Sequence, residues 1–468
     1  MPASITGIFL TSLLSIWFYC SLIKNIDYSH NLPLLIYILM SLLRIGLVGI
    51  YIAYIFNNDA YLEITPVFIS GYDSLYFGGL ILVVGDLVFV LTCLIFWENI
   101  KRRRGRNIPI QTAKSQNLVL RTGIILLVVS ILIDISGYFI NYANITQVID
   151  LFRQSSGPSG LLILAIYKTG NKKLPIAVAV FVWIFIAVTA VSLVGSFWKQ
   201  VIIIYFLPLF FLVYQNIIRK SKWKKITYAI LYGALGLIMI ITVFIYITYS
   251  RNIMSLGIKV DDTTRGSILL DSEPWKVIST ESGIMEDQLL NSGIWAVFHR
   301  SDLYTPAAWV HENVETFGYK QNMIDNIKQA VIPRIFFPEK DPVSWGKEFV
   351  VELGQARSVE FATNAMAYGM FPAYYRNYGW IGVVLGALLS ASLYSILISY
   401  SYRRYLYNPI ATILYFCLII ESLRWFEAGF DGGISYFAVL IIAVIPLSLI
   451  YEKIFLSRDY ISKMWRPS

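Results

Sequence analysis

Charged side chains are scarce in this chain. Asp, Glu, Lys and Arg make up 14% of its 468 residues, where a soluble globular protein carries roughly 25%. Beside 57% hydrophobic residues, that shortfall excludes an ordinary water-soluble domain and points to lipid as the solvent for most of the chain. Cysteine is nearly missing: Cys20, Cys93 and Cys417 each lie in an apolar run, which excludes a disulfide framework and a cysteine-based metal cluster. The 3 histidines, His30, His299 and His311, do not cluster as a metal site requires, and the Asp261–Asp262 pair reads as a solvated turn. There is no Walker loop, dinucleotide fingerprint, HExxH or GxSxG, so no nucleotide, zinc-protease or serine-hydrolase chemistry is signalled. No fixed-period repeat and no basic flank before the first apolar run are found, so neither a solenoid nor a cleavable leader is expected. Neither a metal nor a cofactor is expected.

What the chain does have is long apolar runs. A helix needs about 20 mainly apolar residues to cross the hydrocarbon core, and unpaired peptide groups in lipid force such runs to be helical. Runs at 5–23, 32–56, 75–97, 118–140, 174–195, 199–217, 226–249, 379–400, 408–426 and 434–455 fit, with a weaker one at 151–168 interrupted by Gly157, Pro158 and Gly160. The formal charge of +9 resembles a nucleic-acid signal until its location is considered. The basic residues gather in short loops: Lys101 to Arg106, Lys168 to Lys173, Arg219 to Lys225, and Arg403 with Arg404. Such loops stay in the cytoplasm, so nucleic acid is rejected as a partner and membrane lipid takes its place. All four share a side only if 151–168 also crosses.

The expected fold is an all-α polytopic membrane protein of about eleven spans, ten to twelve, each about 20 residues long. Its N-terminus lies outside and its C-terminus inside. Three regions follow: an N-terminal bundle at 1–249, one large extracytoplasmic loop at 250–378, and a C-terminal bundle at 379–468. The loop holds more than half of the 29 acidic residues, and a segment that long is usually functional.

The densest chemistry lies between Phe298 and Pro342. Pro333, Pro338 and Pro342 stiffen the chain around Arg334 and Lys340. Arginine suits a pyrophosphate because its planar fork donates paired hydrogen bonds and stays charged. Arg251, Arg300 and Arg334, with Lys199 opening a span, are the candidate pyrophosphate ligands, although each also fits an interfacial anchor or a loop ion pair. If a sugar hydroxyl attacks, a base is needed. His299, His311, Asp302, Glu360 and Asp431 are candidates, histidine being favoured by its ordinary pKa of about 6.5. Within the spans, Arg44 and Asp86 sit at matching depths, counted at about 1.5 Å per residue. An unpaired charge there is expensive, so they are expected to form a structural ion pair.

These residues resemble the bacterial oligosaccharide repeat-unit polymerases, the Wzy-type O-antigen polymerases, and the related O-antigen ligases. The likeness runs from about Val194 to the C-terminus, through GSFWKQVIII with Lys199, YITYSRNI with Arg251, HRSD with Arg300, IPRIFFPEKDP with Arg334 and Lys340, and Thr363 followed by YYRNYGWIGVVLGAL. Lys199 stands where the family has arginine, Asp341 is inserted, and no histidine follows His311, which favours polymerase over ligase. The resemblance implies a GT-C-like fold and metal-independent glycosyl transfer from a chain on undecaprenyl pyrophosphate to the non-reducing end of one lipid-linked unit. The reaction belongs to lipopolysaccharide or surface-polysaccharide biosynthesis on the periplasmic side of the inner membrane. Arg300 with His299, Asp302 or His311 is the expected catalytic group, and Lys340, Thr363, Tyr375 and Asn377 are the expected glycan-positioning residues. A Wzz-type chain-length regulator and a flippase are the implied protein partners. A flippase or transporter is the competing reading for the chain itself; it would run its pathway past Arg44, Asp86 and Asp134 and leave the long loop dispensable.

Overall fold

A computed structural model describes residues 3–25, 31–57, 71–102, 113–137, 146–169, 174–195, 302–321, 345–352, 357–358, 368–424 and 440–455, with single residues at 205, 208 and 437. Every regular element among them is helical. Five of the helices are long and apolar enough to cross a membrane: Ala3–Ile23, Leu32–Tyr54, Tyr72–Glu98, Asn117–Ser136 and Met370–Tyr402. Large apolar side chains such as Leu14, Trp17, Ile95, Leu132 and Ile381 lie on their outsides, as lipid contact allows and water does not. The expected spans at 199–217 and 226–249 lie outside the described residues, apart from 205 and 208.

Two compact units divide the chain, and neither follows chain order. The first combines Met1–Pro109, Tyr142–Val148 and Ser301–Ser468; the second combines Ile110–Asn141 and Ile149–Arg300.

In the first unit α1 is Ala3–Asn25, α2 Leu32–Ser41, α3 Val48–Asn57 and α4 Tyr72–Arg102. The Asn31 side chain caps α2 by accepting the Leu34 N–H at 3.2 Å, and Pro33 occupies its first turn, where a missing N–H does no harm. A π-helical turn, Leu42–Leu47, joins α2 to α3 and carries the buried Arg44. On α4, Asp86 is fully buried. Its carboxylate accepts the hydroxyls of Tyr19 from α1, Tyr37 at 2.7 Å and Ser41 at 3.0 Å from α2. The sequence matches Asp86 with Arg44; the contacts described here put three hydroxyls from two other helices on that carboxylate. A buried charge so supplied ties α1, α2 and α4 into one register.

The rest of this unit is α8 (Tyr304–Phe317), α9 (Trp345–Glu352), α10 (Met370–Tyr402), α11 (Pro409–Arg424), the π-helical Leu440–Val444 and α12 (Ile445–Phe455). Gly379 breaks α10 with φ 64° and ψ −151°, a conformation open to glycine and costly for any side chain. There the chain reverses. The Tyr374 hydroxyl bonds Ser390 and its ring lies against Gly386, although a straight helix would hold residues 374 and 390 about 24 Å apart. Met370–Tyr378 is therefore a short re-entrant limb, and the long limb begins at Trp380. The tip of the short limb meets α4 at Gly85, where an added methyl would overlap the Phe371 ring. That point lies about 20 Å along α4 from Tyr72, well inside the bundle. Residues 370–378, expected at the end of the outer loop, thus fold back among the spans.

A second short element, α8, lies against α4 at Gly78 and Gly79. An added methyl at Gly78 would overlap the backbone of Ala307 and Ala308, and one at Gly79 the Tyr304 ring. The Tyr304 hydroxyl donates to the Ile45 carbonyl at 2.8 Å, anchoring the start of α8 within the bundle. At the opposite end, Asn408 caps α11 through the Ile410 and Ala411 N–H groups and donates to Ser448 at 2.9 Å, while Arg404 pairs with Glu452 at 2.8 Å.

In the second unit, α5 is Ala113–Gly137, α6 Thr146–Thr169 and α7 Ile176–Gly195, with Leu127, Leu164 and Phe185 forming a core. The small residues that make 151–168 a weak run in sequence are a packing face. Ser155, Ser156 and Ser159 are buried, and Gly160 lets α6 approach Leu127 and the Gly123 carbonyl of α5. Small residues bring backbones close where no hydrophobic force separates helix from lipid. Asp134 pairs with Arg153 at 2.9 Å.

Gly78→Ala is expected to lower the stability of the protein in detergent micelles by about 1–3 kcal/mol, the usual cost of overpacking, in thermal unfolding. Gly71→Ala, where an added methyl meets open space, is expected to stay within about 0.5 kcal/mol.

Candidate active site

Two segments far apart in sequence converge near the start of α4. The first is α8, whose ends are set by local chemistry. Asp302 accepts the N–H groups of Tyr304 at 2.7 Å and Thr305 at 3.2 Å, and its second oxygen accepts the Thr305 hydroxyl at 2.5 Å. These bonds cap the start of α8, just before its flanking residue Leu303. A buried carboxylate so engaged holds the start of the helix. Gly318 closes the other end at φ 80°, its N–H donating to Val314 at 2.8 Å.

Held between these caps, His311 stacks on Phe77 of α4, with ring centroids 4.8 Å apart and planes 1° from parallel, and on Tyr375 of the re-entrant limb at 5.8 Å and 26°. Among the described residues its buried Nδ1 has no hydrogen-bond partner. Burial pushes the imidazole below its ordinary value, against the weaker pull of Glu315 and Glu312 on the same helix. The ring is thus neutral at neutral pH, which a general base requires.

Tyr375 also meets Trp380 at 5.5 Å and Tyr319 at 6.5 Å, both edge-on. Asn377 spends an amide N–H on the Ala373 carbonyl at 3.0 Å. Between them Arg376 donates through Nη2 to Glu352 at the end of α9, and Lys320 pairs with the other oxygen of the same carboxylate. The Lys320 N–H donates to the Arg376 carbonyl at 3.1 Å. Tyr368 lies under the guanidinium, 5.6 Å from ring centroid to carbon, and the chain of rings Tyr368, Phe349 and Trp309 links α9 to α8.

Of the residues singled out from sequence, His311 and Tyr375 meet, Asn377 stands beside them, and Asp302 holds the helix that presents His311. Arg251, Arg300, Arg334, Lys199, Lys340, Thr363 and His299 lie outside the described residues. The sequence passes over Phe77, Lys320, Glu352 and Arg376. Arg376 alone carried a signal, an arginine within the aromatic run YYRNYGW; the other three are unremarkable residues given a role only by their neighbours.

Asp302→Ala is expected to destabilise the protein by about 0.5–2 kcal/mol, the value of a lost cap, and to lower activity with it. Asp302→Asn keeps the acceptor and is expected to retain both, in thermal unfolding and turnover measured side by side; a catalytic carboxylate would lose turnover in both variants. Compared with known proteins, the chain matches no family model, no curated protein and no solved structure.

Proposed function

We propose that this helical membrane protein is a glycosyltransferase of the Wzy type. It would polymerise undecaprenyl-pyrophosphate-linked oligosaccharide units at the periplasmic face of the bacterial inner membrane. The observation that carries the reading is the stacking of His311 on Tyr375. A helix that follows the HRSD motif meets the YYRNYGW run there, although some sixty residues separate His311 from Tyr375. Position lends further support. The meeting point lies near the Tyr72 end of α4, whose other end runs into the basic stretch Lys101 to Arg106, and basic loops are cytoplasmic.

In the proposed reaction, neutral His311 takes the proton from a hydroxyl at the non-reducing end of the incoming unit as that oxygen bonds to the anomeric carbon of the growing chain. The bond from that carbon to the pyrophosphate oxygen breaks, and its electron pair leaves on undecaprenyl pyrophosphate. Because pyrophosphate is already a good leaving group, the protein's task is positioning and charge stabilisation. Arg251, Arg300, Arg334 and Lys199 are the loop and span-end cations assigned to that task.

The purified protein given one lipid-linked unit alone is expected to yield a ladder of polymer. Product only in the presence of a lipid A core acceptor would make it a ligase. His311→Gln is expected to lower kcat by about 10²–10⁴-fold. The wild-type rate should fall as pH drops through the His311 pKa, because protonation removes the base. Since burial depresses that pKa, the fall should lie below about pH 6.5 and vanish in the variant.

A further inference from the structure

We propose that Arg376 and Lys320 form an anion site built for a pyrophosphate, which Glu352 fills as an internal stand-in when no ligand is bound. Three features argue that the carboxylate is a placeholder.

The first is charge. Among the described residues two cations share one carboxylate, one on each oxygen, so one of the two positive charges has no carboxylate of its own there. The Arg376 side chain is only 10% exposed, and a charge that deeply placed needs full pairing.

The second is geometry. Arginine meets a carboxylate best through two parallel N–H bonds, yet Glu352 takes only Nη2, since its other oxygen serves Lys320. Among the described residues the buried Nε of Arg376 has no partner. A pyrophosphate offers enough oxygens to take Nε, Nη2 and the Lys320 ammonium together.

The third is that the cations are set in place around Glu352. The Lys320 N–H bonds the Arg376 carbonyl, Tyr368 supports the guanidinium, and the chain around Lys320 is bent by Gly318 at φ 80° and Gln321 at φ 53°. Such a φ is unusual for a residue with a side chain.

The chemistry of the site stands on these contacts alone; only the ligand's carrier, a polyprenol, rests on the proposed function. The test is binding to the full-length protein in detergent micelles, with inorganic pyrophosphate and farnesyl pyrophosphate as probes. Glu352→Gln removes the competing charge and is expected to tighten both by about tenfold, equivalent to 1.4 kcal/mol. Arg376→Lys keeps the charge but loses the fork, and is expected to weaken both. Unchanged or weaker binding in Glu352→Gln would make Glu352 a structural brace and overturn the proposal, as would a gain that survives Arg376→Lys. Should Glu352→Gln fail to fold, wild type gives a second reading. Pyrophosphate is expected to slow acetylation of Lys320, followed by mass spectrometry, and an unchanged rate would overturn the site. Tighter binding of the farnesyl probe assigns the site to a lipid headgroup, and equal binding assigns it to the free anion; both require the site. Polymer formation is not read in this assay, so loss of the ladder with binding intact would count against the polymerase and not against the anion site.

Discussion

The candidate site depends on how closely α8 can approach α4 at Gly78. No hydrophobic force drives one helix onto another inside lipid, so contact must be won by dispersion and hydrogen bonding at short range. With no side chain at Gly78, the α4 surface meets the backbone of Ala307 and Ala308 directly. Phe77, the residue before it, is thereby presented to His311. The Tyr304 hydroxyl bond to Ile45 anchors the start of α8 and the Asp302 cap sets its direction. The imidazole is thus placed by backbone packing in the bundle rather than by a loop of its own.

Several polar groups inside the first unit are bonded from one helix or limb to another. Asp86 draws hydroxyls from α1 and α2, Tyr374 and Ser390 close the hairpin of α10, and Asn408 joins α11 to α12. In a medium without water each group left unmet would cost several kcal/mol, so these bonds specify which helix faces meet. Both α8 and the limb Met370–Tyr378 are held to the same frame, and rigid support of this kind is what a site needs to hold reacting groups in line. The Glu352 contact differs from the others. It joins two cations to a single part-exposed carboxylate, which suits a contact made to be exchanged.

Much of the frame was legible in the sequence. The expected spans at 5–23, 32–56, 75–97, 118–140 and 379–400 each fall on a long apolar helix, because transfer of apolar side chains into lipid is nearly additive along a run. The reversal at Gly379 was not legible. The residues before it read as the end of the outer loop and those after it as a span, since composition does not distinguish a chain entering a span from a limb folded back beside it. The partners of Asp86 were missed for a related reason: a depth argument sees only charges, and tyrosine and serine hydroxyls carry none.

By itself, then, the sequence determined the membrane class, the positions of the long helices and the stretches worth searching for chemistry, all of which follow from the local free energy of placing side chains in lipid or water. Only the tertiary structure decided that His311 stacks on Phe77 and Tyr375, that Asp302 caps α8, and that Arg376 and Lys320 share Glu352. Those pairings depend on which helix faces come within a few ångströms of each other. That is set by close backbone approach at Gly78 and by the turn at Gly379, neither of which leaves a mark on hydropathy.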